Sequence, residues 1–403
     1  MENKYFRRGF GLKDEVTQQL KGDYHSAIID YLKSSNYSLA LGNTTIKLAQ
    51  EFGFCYGVDR SIEYAYQTVE RFPDKNIYLI GEIIHNPFVN NRMTGMGIGI
   101  LPMDKVVETV SPEDVVILPA FGISIDLLAA VKAKGCILVD TTCGSVLNVW
   151  KHVEKFTKEG YTALVHGKYY HEETIATVSR ATSKAGGKYI VVRNHKEADL
   201  VCDYIINPKD REQFISYFLK SMSKGFDPDK DLDKIGVANQ TTMLARESME
   251  IAKKVKLALE QRYGKETIDD HFRSFDTICS ATQDRQDAIL KLLNEKNDLT
   301  IIIGGFNSSN TNNLTNIAAG YGPAYHIEDA DCILSATEIK HKPAGQEQII
   351  VTHNWLPDSE ITVAITAGAS TPNTKIGEVI EKIYSVRGEI TLLENLYNSN
   401  IFT

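Results

Sequence analysis

Cysteine offers the most chemistry in this chain, and three of its six cysteines occupy matching places. Cys143 closes the stretch Asp140-Thr141-Thr142-Cys143, and Cys279 closes Asp276-Thr277-Ile278-Cys279, a near copy. Each stands where one run ends and a helical pattern begins, "GSVLNVWKHVEKF" after the first and "SATQDRQDAILKLL" after the second. Cys55, in Gly53-Phe54-Cys55-Tyr56-Gly57, sits at the same kind of corner ahead of "DRSIEYAYQTVERF". A helix N-terminus presents free N–H groups and the positive end of the dipole, which suits the thiolate form that binds metal. The usual fate of a cysteine is a buried small hydrophobe, and Cys136, Cys202 and Cys332 read that way in "GCILV", "LVCDYII" and "DCILS". The corner cysteines read instead as soft ligands for zinc or an iron–sulfur cluster, with three protein ligands leaving one coordination position open.

Polar side chains gather at similar corners: His85-Asn86, His171-Glu172-Glu173, Gln240-Thr241-Thr242, Asn307-Ser308-Ser309-Asn310 and Ser370. Hydroxyls, amides and imidazoles can bind a compact anion such as a diphosphate without Lys or Arg. Helix N-termini after "NSSN" and "AGAS" would add to this. Each residue alone also fits an ordinary helix cap, a satisfied core histidine or a solvated first-turn acid. "HEETI" begins like a zincin helix but carries Ile175 where the second ligand belongs. "GMGIG" (95–99) lacks a third glycine at the right offset and the leading strand of a dinucleotide fingerprint. Neither a P-loop motif nor a C-x-x-C pair occurs.

What must position these residues is a series of short β-branched runs. They are "NIYLIG" (76–81), "DVVILPA" (114–120), "GCILVD" (135–140), "YTALVHG" (161–167), "KYIVVR" (188–193), "KIGVANQ" (234–240), "LTIIIGG" (299–305) and "ITVAITAGAS" (361–370). Amphipathic helical patterns lie between them, and strands alternating with helices predict doubly wound parallel α/β sheets. Ligands bind such sheets beyond the C-terminal ends of the strands, where almost all the residues named above fall. The expected division is a helical extension at 1–45, three α/β domains at 46–140, 141–275 and 276–371, and a tail at 372–403. An inserted polar segment interrupts the second domain near 207–233.

At 403 residues the chain suffices for two or three domains. Net charge is −8 and pI about 5.8, with no long basic cluster, so the composition argues against nucleic-acid partners. No apolar run reaches the roughly 20 residues of a membrane helix. The N-terminus lacks an apolar signal segment and carries Glu2, Asp14 and Glu15, which points to the cytoplasm.

In order, "GFCYGVDRSI", "IIHNPFV", "DTTC", "HEETIAT", "NQTT", "DTICSATQDRQ", "NSSNT" and "TAGASTP" resemble the 4-hydroxy-3-methylbut-2-enyl diphosphate reductase (IspH or LytB) family over about 47–372. "RRGFG", "PAFG", "HGKYYHEETIAT" and "SKGFDPD" resemble its longer plant and cyanobacterial branch. The resemblance implies a trefoil of three α/β domains around a 4Fe-4S cluster held by Cys55, Cys143 and Cys279, with one iron open to substrate. It implies reductive dehydroxylation of an allylic diphosphate to isopentenyl and dimethylallyl diphosphates, the last step of the methylerythritol phosphate route. Glu173 matches the proton-relay acid and Thr241 the hydroxyl that orients the substrate alcohol. His85, His171, Ser308, Ser309, Asn310 and Ser370 match the diphosphate contacts. Electrons would come from ferredoxin or flavodoxin, since the chain has no NAD or flavin motif. Two positions depart from the family: Phe121 stands where many bacterial members have a histidine, and Gly144 where proline usually follows the cysteine. Glu172 beside Glu173 leaves the relay position open to a one-residue shift. A cysteine-ligated zinc hydrolase and a non-catalytic iron–sulfur sensor remain the alternatives at this point.

Overall fold

In the computed structural model, which describes residues 4–183 and 185–398, all eight β-branched runs form strands, each in a parallel pairing. Val115–Leu118, Ile235–Asn239 and Leu299–Ile303 are buried at every residue. That explains runs of continuous rather than alternating hydrophobicity, because a parallel sheet is covered on both faces.

The chain gathers into two compact units. One comprises the chain up to Arg8, Phe72–Ile83 and Gly97–Cys279, and holds two sheets. The first sheet runs Tyr5–Phe6, Ile137–Asp140, Val115–Leu118, Ile77–Ile80, Gly99–Leu101, and the second Phe272–Ser274, Ile235–Asn239, Thr162–His166, Tyr189–Val192. All pairings in both are parallel. The other unit comprises Gly9–Arg71, Ile84–Met96 and the chain from Ser280. Its sheet runs Ala324–Ile327, Leu299–Ile303, Ile361–Ala367, Thr44–Leu48, Ser38–Leu41, antiparallel at the last pair alone. A small hairpin joins Glu338–His341 to Ile350–His353. The doubly wound α/β class expected from the sequence is the class the chain adopts.

The sheets cut across the linear division at 46, 141 and 276. Thr44–Leu48, the strand leading to Cys55, pairs with Ile361–Ala367, so Cys55 belongs with the third sheet. Local pattern makes this segment a strand, but its partner is decided by which edge can bury Ile46 and Leu48. The terminal segments are likewise structural. Tyr5–Phe6 edges the first sheet, and Asn373–Val386 packs Ile376, Val379, Ile380 and Ile383 into the third core. Within 207–233, Phe214, Phe218 and Phe226 join the core of the second sheet. The glycines of 95–99 end the helix Pro87–Gly95 and open the strand Gly99–Leu101, the reverse of a dinucleotide loop.

Each corner cysteine stands where the chain leaves one sheet for the next. From Thr44–Leu48 it passes Cys55 and the helix Tyr56–Arg71 to the first-sheet strand Ile77–Ile80. From Ile137–Asp140 it passes Cys143 and the helix Gly144–Lys158 to the second sheet, where Phe156 fills the space that any side chain on Gly236 would need. From Phe272–Ser274 it passes Cys279 and the helix Ser280–Leu293 back to the third.

Two fully buried histidines make the fold acid-sensitive. His166 ends its strand with Nδ1 2.7 Å from Ser248 Oγ, and burial pulls its pKa down to about 4. His326 Nε2 lies 2.9 Å from the Gly304 carbonyl oxygen, and burial again lowers its pKa to about 4. An unfolded chain protonates both near 6.5. Their contribution is therefore full above about pH 6.5 and is lost as pH falls toward about 4, on the order of 3 kcal/mol for each. Urea midpoints are expected to drop between about pH 7 and about pH 5; identical midpoints would contradict the assignment.

Candidate functional site

The cysteine corner is built three times from the same hydrogen bonds. At the first, Thr141 Oγ1 donates to the Leu118 carbonyl at 2.6 Å and Cys143 N–H to that of Ala120 at 2.8 Å. At the second, Thr277 Oγ1 donates to Asn239 at 3.0 Å and Cys279 N–H to Thr241 at 3.3 Å. At the third, Gly53 N–H stands in for the threonine hydroxyl and donates to Ala367 at 3.3 Å, while Cys55 N–H reaches Ala369 at 3.2 Å. The acceptors are always the last residue of the neighbouring strand and the residue two beyond it. This accounts for the near repeat. Asp140 Oδ1 accepts the Thr142 N–H at 3.0 Å, and Asp276 Oδ1 accepts the Ile278 N–H at 3.1 Å, so the aspartate shapes the turn. The threonine then ties it to the next strand and the cysteine heads a helix.

The two aspartates differ in their backing. Asp140 is buried, and its Oδ2 receives Tyr5 Oη at 2.6 Å and Arg7 Nε at 3.1 Å, whereas Asp276 is exposed. Burial, with Asp140 beside it, pushes the Tyr5 phenol up to about 12. Gly144, first in its helix, adds no stiffness to the turn; the N-terminal strand supplies it from behind. Tyr5 does not stand out in the sequence and Arg7 does so only within "RRGFG", because nothing local marks a short edge strand for the first sheet.

Within the first unit the remaining residues join the cysteines in one run of contacts. The Thr241 carbonyl takes the Cys279 N–H, and Thr241 in turn occupies both oxygens of Glu173, its N–H on Oε1 at 2.7 Å and its hydroxyl on Oε2 at 2.9 Å. Glu173 is 3% exposed, while the Glu172 side chain is 38% exposed. The Glu173 N–H donates to Nδ1 of His171, the helix N-cap, at 3.1 Å. A neutral His171 therefore carries its proton on Nε2, where it can serve as a donor. The His171 ring meets Phe121 edge-on, centroids 6.3 Å apart, and Phe121 follows Ala120, the acceptor of the Cys143 N–H. Phe121 thus contributes an aromatic wall against His171 in place of a hydrogen-bond donor.

Within the second unit Ala369 is the centre. Its carbonyl takes the Cys55 N–H, and its own N–H donates to Asn310 Oδ1 at 3.0 Å. Next to it, Ser370 Oγ donates to the His85 carbonyl at 3.2 Å, and Gly305 passes so near the same oxygen that a Cβ would lie 2.6 Å away. Ser308 caps the helix Ser309–Ala319. Asn310 Nδ2 is buried with no hydrogen-bond partner among the described residues, and a buried orphan donor calls for an acceptor. An anion would supply one. Thus Cys55, His85, Ser308, Ser309, Asn310 and Ser370 fall in one unit, and Cys143, His171, Glu173, Thr241 and Cys279 in the other.

The six cysteines divide as their contexts suggested. Cys55, Cys143 and Cys279 are half-buried, Cys136, Cys202 and Cys332 fully buried, and none forms a disulfide. Burial raises the thiols of Cys136 and Cys332 and pushes Cys202 up to about 12, away from the thiolate form that binds metal. Each of the three half-buried thiols beyond a strand end has the donor chemistry that suits a soft metal. No described helix is long and apolar enough to cross a membrane.

Comparison with known proteins follows the same lines. Residues 46–384 match the family described as LytB protein. A curated relative from Trichormus variabilis, 4-hydroxy-3-methylbut-2-enyl diphosphate reductase, is 48% identical over 95% of each chain. One of the same name from Thermosynechococcus vestitus is 48% identical over 96% of each. A solved structure of (E)-4-hydroxy-3-methyl-but-2-enyl diphosphate reductase, called the terminal enzyme of the non-mevalonate pathway, is 28% identical. It aligns with a TM-score of 0.52 over 85% of this chain and 99% of its own. The Plasmodium falciparum reductase structure, at 24% identity and a TM-score of 0.61 over 84% of this chain and 87% of its own, shares the fold.

Proposed function

The chain belongs to the LytB protein family, and on that premise we propose how its residues carry out the family's reaction. It is a 4-hydroxy-3-methylbut-2-enyl diphosphate reductase of the non-mevalonate route, an iron–sulfur oxidoreductase acting on a small diphosphate. A zinc hydrolase or a non-catalytic sensor is not favoured. The reaction removes the allylic hydroxyl as water with two electrons and two protons, giving isopentenyl and dimethylallyl diphosphates.

Cys55, Cys143 and Cys279 are our proposed ligands. The observation that carries this reading is the corner built three times with one cysteine in each. When bound, a 4Fe-4S cluster with one iron left open supplies the electrons and a Lewis acid toward the allylic oxygen. The other residues handle charge and protons. Glu173 Oε2 accepts the Thr241 hydroxyl; once that carboxylate takes up a proton, the hydroxyl can turn to accept it, pass a proton on and orient the substrate alcohol. Asn310 Nδ2, the hydroxyls of Ser308, Ser309 and Ser370, and the imidazoles of His85 and His171 would hold the diphosphate by hydrogen bonds. We further propose the cytoplasm as the compartment, which suits six cysteines without a disulfide. Ferredoxin or flavodoxin is the proposed electron donor.

Anaerobic purification with iron and sulfide counts, then assay with the allylic diphosphate and a reduced donor, tests the reading. One zinc and no sulfide would sink it. The diphosphate site has its own test in Asn310→Asp. The substitution keeps an acceptor for the Ala369 N–H but turns the orphan donor into an anion. Repulsion of a like charge should raise KM at least about tenfold with iron content unchanged; an unaltered KM would remove Asn310 from the site.

A further inference from the structure

Arg285 stands where an amphipathic helix should carry an apolar residue. On Ser280–Leu293 it shares the buried stripe with Thr282, Ile289 and Leu292, and only 3% of it is exposed. Every hydrogen bond it makes goes to a main-chain carbonyl. Nη2 lies 2.7 Å from the Gly53 oxygen, 3.1 Å from that of Phe54 and 3.5 Å from that of Phe52, with Nε 3.2 Å from Gly53. Nη1 reaches Ala281 in its own helix at 2.8 Å. Burying a cation is costly unless its donors are met, so a charge spent on three consecutive carbonyls implies that the shape of that loop matters.

The loop needs such an anchor. Gly53 has φ +69°, and a Cβ there would lie 3.1 Å from the Thr371 carbonyl oxygen and 3.2 Å from Asn373 Oδ1. The left-handed turn at Gly53 lets three successive carbonyls converge on one side. The planar guanidinium meets them from one edge, Nη2 on all three and Nε again on Gly53, while Nη1 ties it to its own helix; a lysine ammonium has no such rigid fork. The next residue is Cys55, set at the head of Tyr56–Arg71.

We propose that Arg285 is the positioning residue for Cys55, holding Phe52–Phe54 in the shape that presents the thiol. The consequence for the loaded enzyme rests on Cys55 being a cluster ligand; the order of the loop does not. In the full-length, iron-free chain, iodoacetamide labelling followed by peptide mass spectrometry gives a rate at each cysteine. With R285M, Cys55 should label about tenfold faster or more than in the wild type, while Cys143 and Cys279 keep their rates. R285K should fall between, and chelator-driven iron release from the loaded chain should quicken in the same order. Unchanged labelling of Cys55 overturns the proposal, and so does an equal rise at all six cysteines, which marks general loosening. If R285M does not fold, R285K against the wild type decides by the same two outcomes. A wrong ligand assignment would show separately, as a Cys55→Ser chain that retains its iron while the labelling result stands.

Discussion

Serine at Cys55, Cys143 or Cys279, one at a time, is expected to yield a colourless chain without reductase activity, while serine at Cys136, Cys202 or Cys332 leaves colour and turnover in place. The contrast follows from position. Each of the first three is half-buried beyond the end of a strand, and its N–H is fixed to a neighbouring strand's outgoing chain. Serine keeps that backbone hydrogen bond and the turn, but an alcohol is a far poorer ligand than a thiolate for a soft metal. If the three proposed cysteines hold the cluster, losing one would leave two, too few to retain it. Cys136, Cys202 and Cys332 lie inside the cores of the first, second and third sheets. Their cost is one of stability, about 1–3 kcal/mol for a buried hydroxyl. Visible absorption, iron counts and turnover on anaerobically prepared variants read the difference. A Cys136→Ser chain without a cluster, or a Cys143→Ser chain with one, would overturn the ligand set.

The strands were legible because a doubly covered parallel sheet demands continuous β-branched runs, and the corners were legible because each run ends in polar or thiol residues before a helix. "GFC" could be matched to the two Asp-Thr-x-Cys stretches by its place alone. In the structure a glycine N–H replaces the threonine hydroxyl there, so the letters differ although the hydrogen bonds agree. What local pattern could not carry was partnership. Nothing within Thr44–Leu48 says that it pairs with a strand more than 300 residues away, Ile361–Ala367, which is why linear order alone groups Cys55 with the first sheet. The same holds for Tyr5 and Arg7 behind Asp140, and for Asn310 and Ala369. Arg285 did leave a trace in the sequence. It falls four residues before Ile289 and seven before Leu292, on the apolar stripe, and a charge at such a position marks a buried anchor.

Glu173→Gln is expected to keep the iron, the fold and the substrate KM while lowering turnover by about 10²–10⁴-fold, the range for removing a positioned proton donor. The geometry explains the separation of effects. A glutamine has nearly the same shape, and its carbonyl oxygen can still accept the Thr241 N–H that Glu173 Oε1 accepts at 2.7 Å. Its amide would face the Thr241 hydroxyl, which can turn to accept. Packing and the tie from Thr241 to the Cys279 N–H therefore survive, but no acidic proton remains on this pair. Reductive loss of the hydroxyl as water consumes two protons, and in the proposed relay Glu173, buried and bonded at both oxygens to one residue, would deliver one through the Thr241 hydroxyl. Glu172 is the built-in control. It shares the first turn of the helix Glu172–Ala181, but its side chain is 38% exposed and its carboxylate lies 4.0 Å from His171 Nδ1. Glu172→Gln should keep turnover near that of the wild type. Turnover at saturating substrate, normalised to iron, compares the two variants. If Glu172→Gln is the inactive one, the relay sits one residue earlier, and the hydrogen bonds between Glu173 and Thr241 serve only to hold the helix to the strand end.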